Sequence, residues 1–311
     1  MPNIDLASYK KREQEFVKHS LLREYLPELG FKVGSAWEAL AYIDGFAGPW
    51  GSTRPDLSDS SFAVALQALR ACRDGLASRG RNLRIQSLFV EKEPVPFSKL
   101  DAFAKAHNVP GFAVKAYHGE FAGTVDQLRT ELRSLGSRAF RFIFLDPTGW
   151  KDIPMDAIQK LADGRSCEVL INLMTKHIKR FIHEDTRADS YRRLFGREGV
   201  LDLLQQTPPD EQNDRAVREY CKSLQQLCGF KHVSQAVILE PGKDEIRYFL
   251  VYATNHHRGV EVFKEAEIAA AEMQAWVRHE VEVEKTRQDI LFFDASPPET
   301  TFGQRLRERY L

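Results

Sequence analysis

Two apolar segments late in the chain, SQAVILE at 234–240 and EIRYFLVYAT at 245–254, are joined only by Pro241, Gly242, Lys243 and Asp244. That connection is too short to hold the helix a parallel crossover needs, so the two strands must run antiparallel. Upstream the rhythm differs. LAYID (40–44), RIQSLFVE (84–91), FAVKAY (112–117), FRFIFLD (140–146) and CEVLINLM (167–174) alternate with segments such as SFAVALQALRACRDGLA, whose apolar residues recur at three and four. Strands separated by helices pair in parallel and are covered on both faces. The expected fold is therefore α/β, a Rossmann-like sheet of five parallel strands plus an antiparallel C-terminal hairpin, with helices on both faces. A plain dinucleotide-binding sheet would end on a sixth parallel strand instead.

Around this sheet, residues 1–34 read as a helical lead-in and 35–275 as the α/β domain, with an insertion at about 175–230; 276–311 read as a helical tail. Phe16, Leu21, Leu22 and Tyr25 among charges predict an amphipathic helix over 10–27, stopped by Pro27 and Gly30. A chain of 311 residues, 43% hydrophobic and 28% charged, can bury a large core. Its 44 basic and 44 acidic residues cancel, so bulk charge does not hold it on nucleic acid and any such contact is local. No apolar run approaches the roughly 20 residues of a spanning helix, and MPNIDLASYKKREQEF lacks the apolar stretch of a secretory signal. A cytoplasmic protein with no membrane contact is expected. Cys72, Cys167, Cys221 and Cys228 lack zinc-site spacing and read as idle thiols, so no metal is expected.

In open α/β sheets ligands bind beyond the carboxyl ends of the strands. The first strand ends there in Asp44-Gly45-Phe46-Ala47-Gly48-Pro49-Trp50-Gly51. Its glycines allow close backbone approach, but neither GxxxxGK[ST] nor GxGxxG is present. With an acid opening the turn, the loop suits a ligand bearing amino or hydroxyl donors better than a pyrophosphate. Glu91 closes the second strand, where a carboxylate can accept from ribose hydroxyls. After the third strand, Glu120 is placed to meet an adenine amino group and Phe121 to stack on its ring. The fourth strand ends in Asp146-Pro147-Thr148-Gly149-Trp150, where proline holds the preceding carboxylate extended over the cleft and Trp150 is positioned to stack on a planar substrate. Lys176, Lys179, Arg180, Arg192 and Arg193 form the best local basic patch, suited to phosphates of DNA or RNA or to a solvated helix face.

From the HSLLREYL helix through YIDGFAG, VEKE, FLDPTG and LINLM to FLVYATNHHRGVEVFKEA, about residues 18–270, the chain resembles the three-Cys-motif partner family. Its members are encoded beside a radical-SAM protein carrying three cysteines, and their fold looks like a class I S-adenosylmethionine-dependent methyltransferase. The resemblance implies S-adenosylmethionine as cofactor, held by Asp44, Gly45, Phe46, Gly48, Gly51 and Glu91. It places Asp146, Pro147 and Thr148 at the catalytic motif. Two positions depart from the pattern: Trp50 stands where a small residue is usual, and DPTG lacks the aromatic of the amino-methyltransferase motif DPPY.

Three functions fit these residues. The first is a methyltransferase acting on a nucleic-acid base. Another is a non-catalytic or assembly partner of the radical-SAM protein, docking through the charged insertion and a helix at 258–288 that carries Ala269, Met273, Trp276 and Val277. The third is a metal-dependent nuclease built on Asp44, Glu91 and Asp146, which lie at one sheet edge.

Overall fold

The computed structural model describes residue 9 and residues 12–49, 52, 54–150, 152–162 and 166–286. Trp50, Gly51 and the tail from 287 lie outside the described residues.

A single sheet contains β1 (Ala39–Asp44), β2 (Arg84–Glu91), β3 (Phe112–His118), β4 (Ala139–Leu145), β5 (Cys167–Leu173), β6 (His232–Leu239) and β7 (Ile246–Thr254), in the order β3-β2-β1-β4-β5-β7-β6. The first five pair in parallel, whereas β7 runs antiparallel between β5 and β6. Five parallel strands closed by an antiparallel hairpin are the expected architecture. The order reverses direction at β1 and β4, so Asp44 and Asp146 emerge side by side where ligands of such sheets bind.

Alternation along each strand divides the core in two. Leu40, Tyr42, Phe142, Phe144, Leu170 and Tyr252 face one helical layer. It holds α1 (Glu13–Ala36), α2 (Ser61–Ala77), α3 (Pro94–His107) and α10 (His257–Thr286). Ala41, Ile43, Ile143, Val169, Ile171 and Val251 face the other. That layer holds α4 (Phe121–Ser134), α5 (Met155–Ala162), α6 (Thr175–Arg180), α7 (Ala188–Phe195), α8 (Val200–Gln205) and α9 (Gln212–Cys228). The chain between β5 and β6 is thus helical and completes one face.

The lead-in helix does not stop where its sequence predicts. α1 continues through Pro27, Gly30 and Gly34 to Ala36. A Cβ at Gly30 would stand 2.7 Å from Cys72 Sγ, and one at Gly34 would collide with Leu76. These glycines are notches, one turn apart on one face, that let α1 lie close against α2. Burial of Leu21, Leu22, Tyr25, Leu26 and Leu29 keeps the helix intact across the proline. The late helix is likewise covered. Val277 is buried, and Met273 and Trp276 pack on the same core, Trp276 with its ring 6.1 Å from that of Phe16. Val277, Met273 and Trp276 thus join the core, and Ala269 is half-buried. Among the described residues, no helix is long and apolar enough to cross a membrane.

Candidate active site

Asp44 is the last residue of β1 and is fully buried. It accepts from the Phe46 N–H at 3.0 Å and from the Ser61 hydroxyl at 3.3 Å, which ties the turn to the start of α2. Backbone bonds from Gly45 to the Phe144 carbonyl (3.0 Å) and from Ala47 to the Val90 carbonyl (2.9 Å) stitch the same turn between β4 and β2. Gly45 is needed for this: a Cβ would lie 2.7 Å from Leu145 Cδ2 and 2.8 Å from Phe121 Cδ2. Burial pushes the Asp44 carboxyl up to about 7; the Phe46 N–H opposes the rise and the charge of Asp146 adds to it.

Glu91 ends β2, is buried, and accepts from the N–H of Glu93 at 2.6 Å, so its own turn fixes the carboxylate. The Gly119 N–H donates to the Glu91 carbonyl at 3.0 Å and brings the end of β3 alongside. Glu120 precedes α4 and is exposed. Phe121 is 2% exposed, its ring 5.7 Å from that of Phe46. It supports the turn from beneath and offers little open face for stacking.

These residues share one cleft. Gly45, Phe46, Val90, Glu91, Lys92, Gly119, Glu120, Phe121, Asp146, Thr148 and Asp152 line about 460 Å³ of atom-free space, its open mouth included. Gly48 lies half-buried in the first turn beyond it, and Gly51 lies outside the described residues. Lys92 and Asp152 approach to 3.9 Å.

Asp146 follows β4 and is not open on all sides. Lys18, from the second turn of α1, donates to its Oδ2, and the Asn172 side-chain amide donates to its Oδ1 at 2.7 Å. Lys18 also pairs with Glu15 at 2.7 Å. Burial alone would pull the Lys18 ammonium down, but the Asp146 and Glu15 carboxylates outweigh it and hold the group above the ordinary lysine range. Lys18 and Asn172 are the residues that site reasoning from the motif loops misses. Lys18 gives no such signal because it sits far from any loop, in a segment whose charges read as a solvated face.

Pro147 is buried and Thr148 exposed at the cleft. Trp150 corrects its expected role. It is 2% exposed and packs on Tyr191, ring centroids 4.6 Å apart, so it belongs to the core and presents no stacking surface to a substrate. Much of the basic patch is matched by local partners. Lys176 pairs with Glu240 (3.2 Å) and Glu245 (2.9 Å), Arg192 with Asp189 and with Glu198 (2.6 Å), and Lys179 donates to the Pro209 carbonyl (2.6 Å). Lys179, Arg180 and Arg193 remain exposed. Among the described residues no group of three or more His, Cys, Asp or Glu is placed to hold a metal ion, so Asp44, Glu91 and Asp146 do not form the expected nuclease cluster.

No family model and no curated protein matches the chain. Among solved structures, the O-methyltransferase from Bacillus cereus in complex with SAH is similar at 12% identity, covering 75% of this chain and 80% of its own, with a TM-score of 0.39. Loganic acid methyltransferase with SAH is similar at 8% identity, covering 98% of this chain and 91% of its own, with a TM-score of 0.32.

Proposed function

We propose that this protein is an S-adenosylmethionine-dependent methyltransferase whose acceptor presents an N–H or O–H group, a nucleic-acid base first among them. The observation that carries this reading is the charge of the cleft. Among the described residues, Glu91, Glu120, Asp146 and Asp152 line it against one cation, Lys92. Such a lining repels phosphates and suits a ligand with hydroxyl and amino donors and positive charge. S-adenosylmethionine, when bound, supplies a methyl group already activated on a sulfonium.

The residues fit that cofactor. Glu91 accepts from ribose hydroxyls, Glu120 meets the adenine amine, and the Asp44-Gly45-Phe46 turn, running on to Gly48, presents its backbone at the cleft, Gly45 leaving room for the turn to seat on Leu145 and Phe121. Asp146 accepts a hydrogen bond from the acceptor and orients its lone pair, which is the help an activated methyl needs. Exposed Lys179, Arg180 and Arg193 support a phosphate-bearing acceptor. Calorimetric titration with S-adenosylmethionine and S-adenosylhomocysteine tests the reading. Binding by the wild type, lost in Asp44→Ala, is expected; no binding by the wild type overturns it. Charge reversal at Lys179 and Arg180 should weaken nucleic-acid binding, and no change would remove nucleic acid as acceptor.

A second reading, a non-catalytic assembly partner of a three-Cys-motif radical-SAM protein, is favoured by one observation. Both Asp146 oxygens are already engaged, by Lys18 and Asn172. Cofactor binding without methyl transfer to any nucleic acid or protein acceptor, together with complex formation with the radical-SAM protein, would favour it.

A further inference from the structure

Lys18 has no role in the methyltransferase reading as it stands, yet it is 2% exposed and its ammonium lies between two carboxylates. Packing alone does not call for such a group, because apolar residues of similar volume commonly replace a buried ion pair without loss of stability. What the pair does supply is direction. Lys18 approaches Asp146 from α1 and Asn172 approaches from β5, so the carboxylate is held from two elements while it still lines the cleft with Gly45, Glu91 and Thr148. Beside it, Asn172 Oδ1 is buried with no hydrogen-bond partner among the described residues. The back of Asp146 thus carries more polar capacity than the protein itself satisfies.

We propose that Lys18 is a positioning residue of the methyl-transfer site: it fixes Asp146 as an oriented carboxylate against the transferable methyl group. The inference rests on the methyltransferase reading and names the group that orients its carboxylate. An acceptor in the cleft meets the carboxylate of Asp146. It therefore presents a hydrogen-bond donor, an amine, amide or hydroxyl, rather than a carboxylate or phosphate oxygen.

The test reads the cofactor and needs no acceptor. S-adenosylmethionine with an isotope-labelled methyl group is bound to the full chain, and the methyl resonance, which responds to nearby charge, is recorded by NMR. Lys18→Met is expected to move the bound-methyl resonance while affinity changes by no more than a few-fold, and Lys18→Arg to restore it. In an Asp146→Asn background, adding Lys18→Met should produce no further movement, because Lys18 acts through Asp146. That second comparison decides the matter if Lys18→Met alone does not fold. An unmoved resonance in bound Lys18→Met, or further movement in the Asp146→Asn background, overturns this inference alone. A wild type that binds no cofactor overturns the methyltransferase reading, and the inference with it.

Discussion

Lys18 and Asp146 lie 128 residues apart in the chain and meet in an ion pair at the carboxyl edge of the sheet, with the lysine side chain 2% exposed and the aspartate 16%. The first helix is thereby joined to the turn after the fourth strand by charge as well as by packing. Three measurable consequences follow from this pair and its surroundings.

Breaking the pair from one side leaves a buried charge uncompensated, whereas removing both charges does not. Lys18→Met should lower stability by about 3 kcal/mol. Lys18→Met combined with Asp146→Asn should recover a large part of that loss. Urea denaturation of the two single variants and the double variant checks this; additive losses would show that the contact contributes nothing to folding.

Asp44 should carry the pH dependence of S-adenosylmethionine binding. Its carboxyl is pushed up to about 7 by burial, with Asp146 adding to the rise. A ligand carrying sulfonium and ammonium charge lowers that value, so binding at pH 7 releases on the order of half a proton. Affinity for S-adenosylmethionine should therefore rise from pH 6 to pH 8, and the calorimetric enthalpy should depend on the buffer's ionisation heat. Asp44→Asn should remove both effects. An enthalpy independent of buffer in the wild type would contradict the linkage.

His19 governs how stability, rather than affinity, depends on pH. It is buried, shares a hydrogen bond with the Tyr9 hydroxyl at 2.9 Å, and is held neutral, well below the ordinary histidine range, by burial and then by the charges of Lys18 and Arg23. The unfolded chain takes up a proton at this residue below its ordinary value near 6.5, while the folded chain does not. Stability should thus fall as pH drops below that value, and the fall should flatten in His19→Gln. Urea midpoints of the two proteins at pH 7 and pH 5 give the comparison, and parallel slopes would remove His19 as the cause.

Much of the sheet was legible because strand and helix differ in period. FRFIFLD ends at the turn that carries Asp146, and the short Pro241–Asp244 link fixes an antiparallel hairpin. The acidic strand ends were legible for the same reason. What the sequence hides is contact between distant segments. Lys18 and Glu15 look like a solvated helix face, and nothing local shows that α1 lies over the sheet. Glu168, inside β5, is buried too, accepting from Tyr25 and, at 3.1 Å, from Thr254. Trp150 failed as a stacking residue because the turn after Pro147 directs it toward Tyr191 in the second core. Pro27 and Gly30 misled because local propensity argues for a stop, while tertiary packing decides.

The glycine notch makes that last point testable. Exchanging glycine for alanine inside an exposed helix normally gains about 1 kcal/mol. At Gly30 the new methyl would stand 2.7 Å from Cys72 Sγ and 3.2 Å from its Cβ, a clash that neither backbone can relieve without separating α1 from α2. Overpacking of this kind costs roughly 1–3 kcal/mol, so Gly30→Ala should be neutral to destabilising despite its better helix propensity. Cys72→Ala removes the sulfur and leaves a small void. In that background Gly30→Ala should become stabilising, since the propensity gain returns and the methyl occupies part of the void. Thermal midpoints of the two single variants and the double variant measure the coupling. A Gly30→Ala change that stabilises equally with and without Cys72 would mean that α1 and α2 are not in contact at this notch, and that Gly30 marks no close approach.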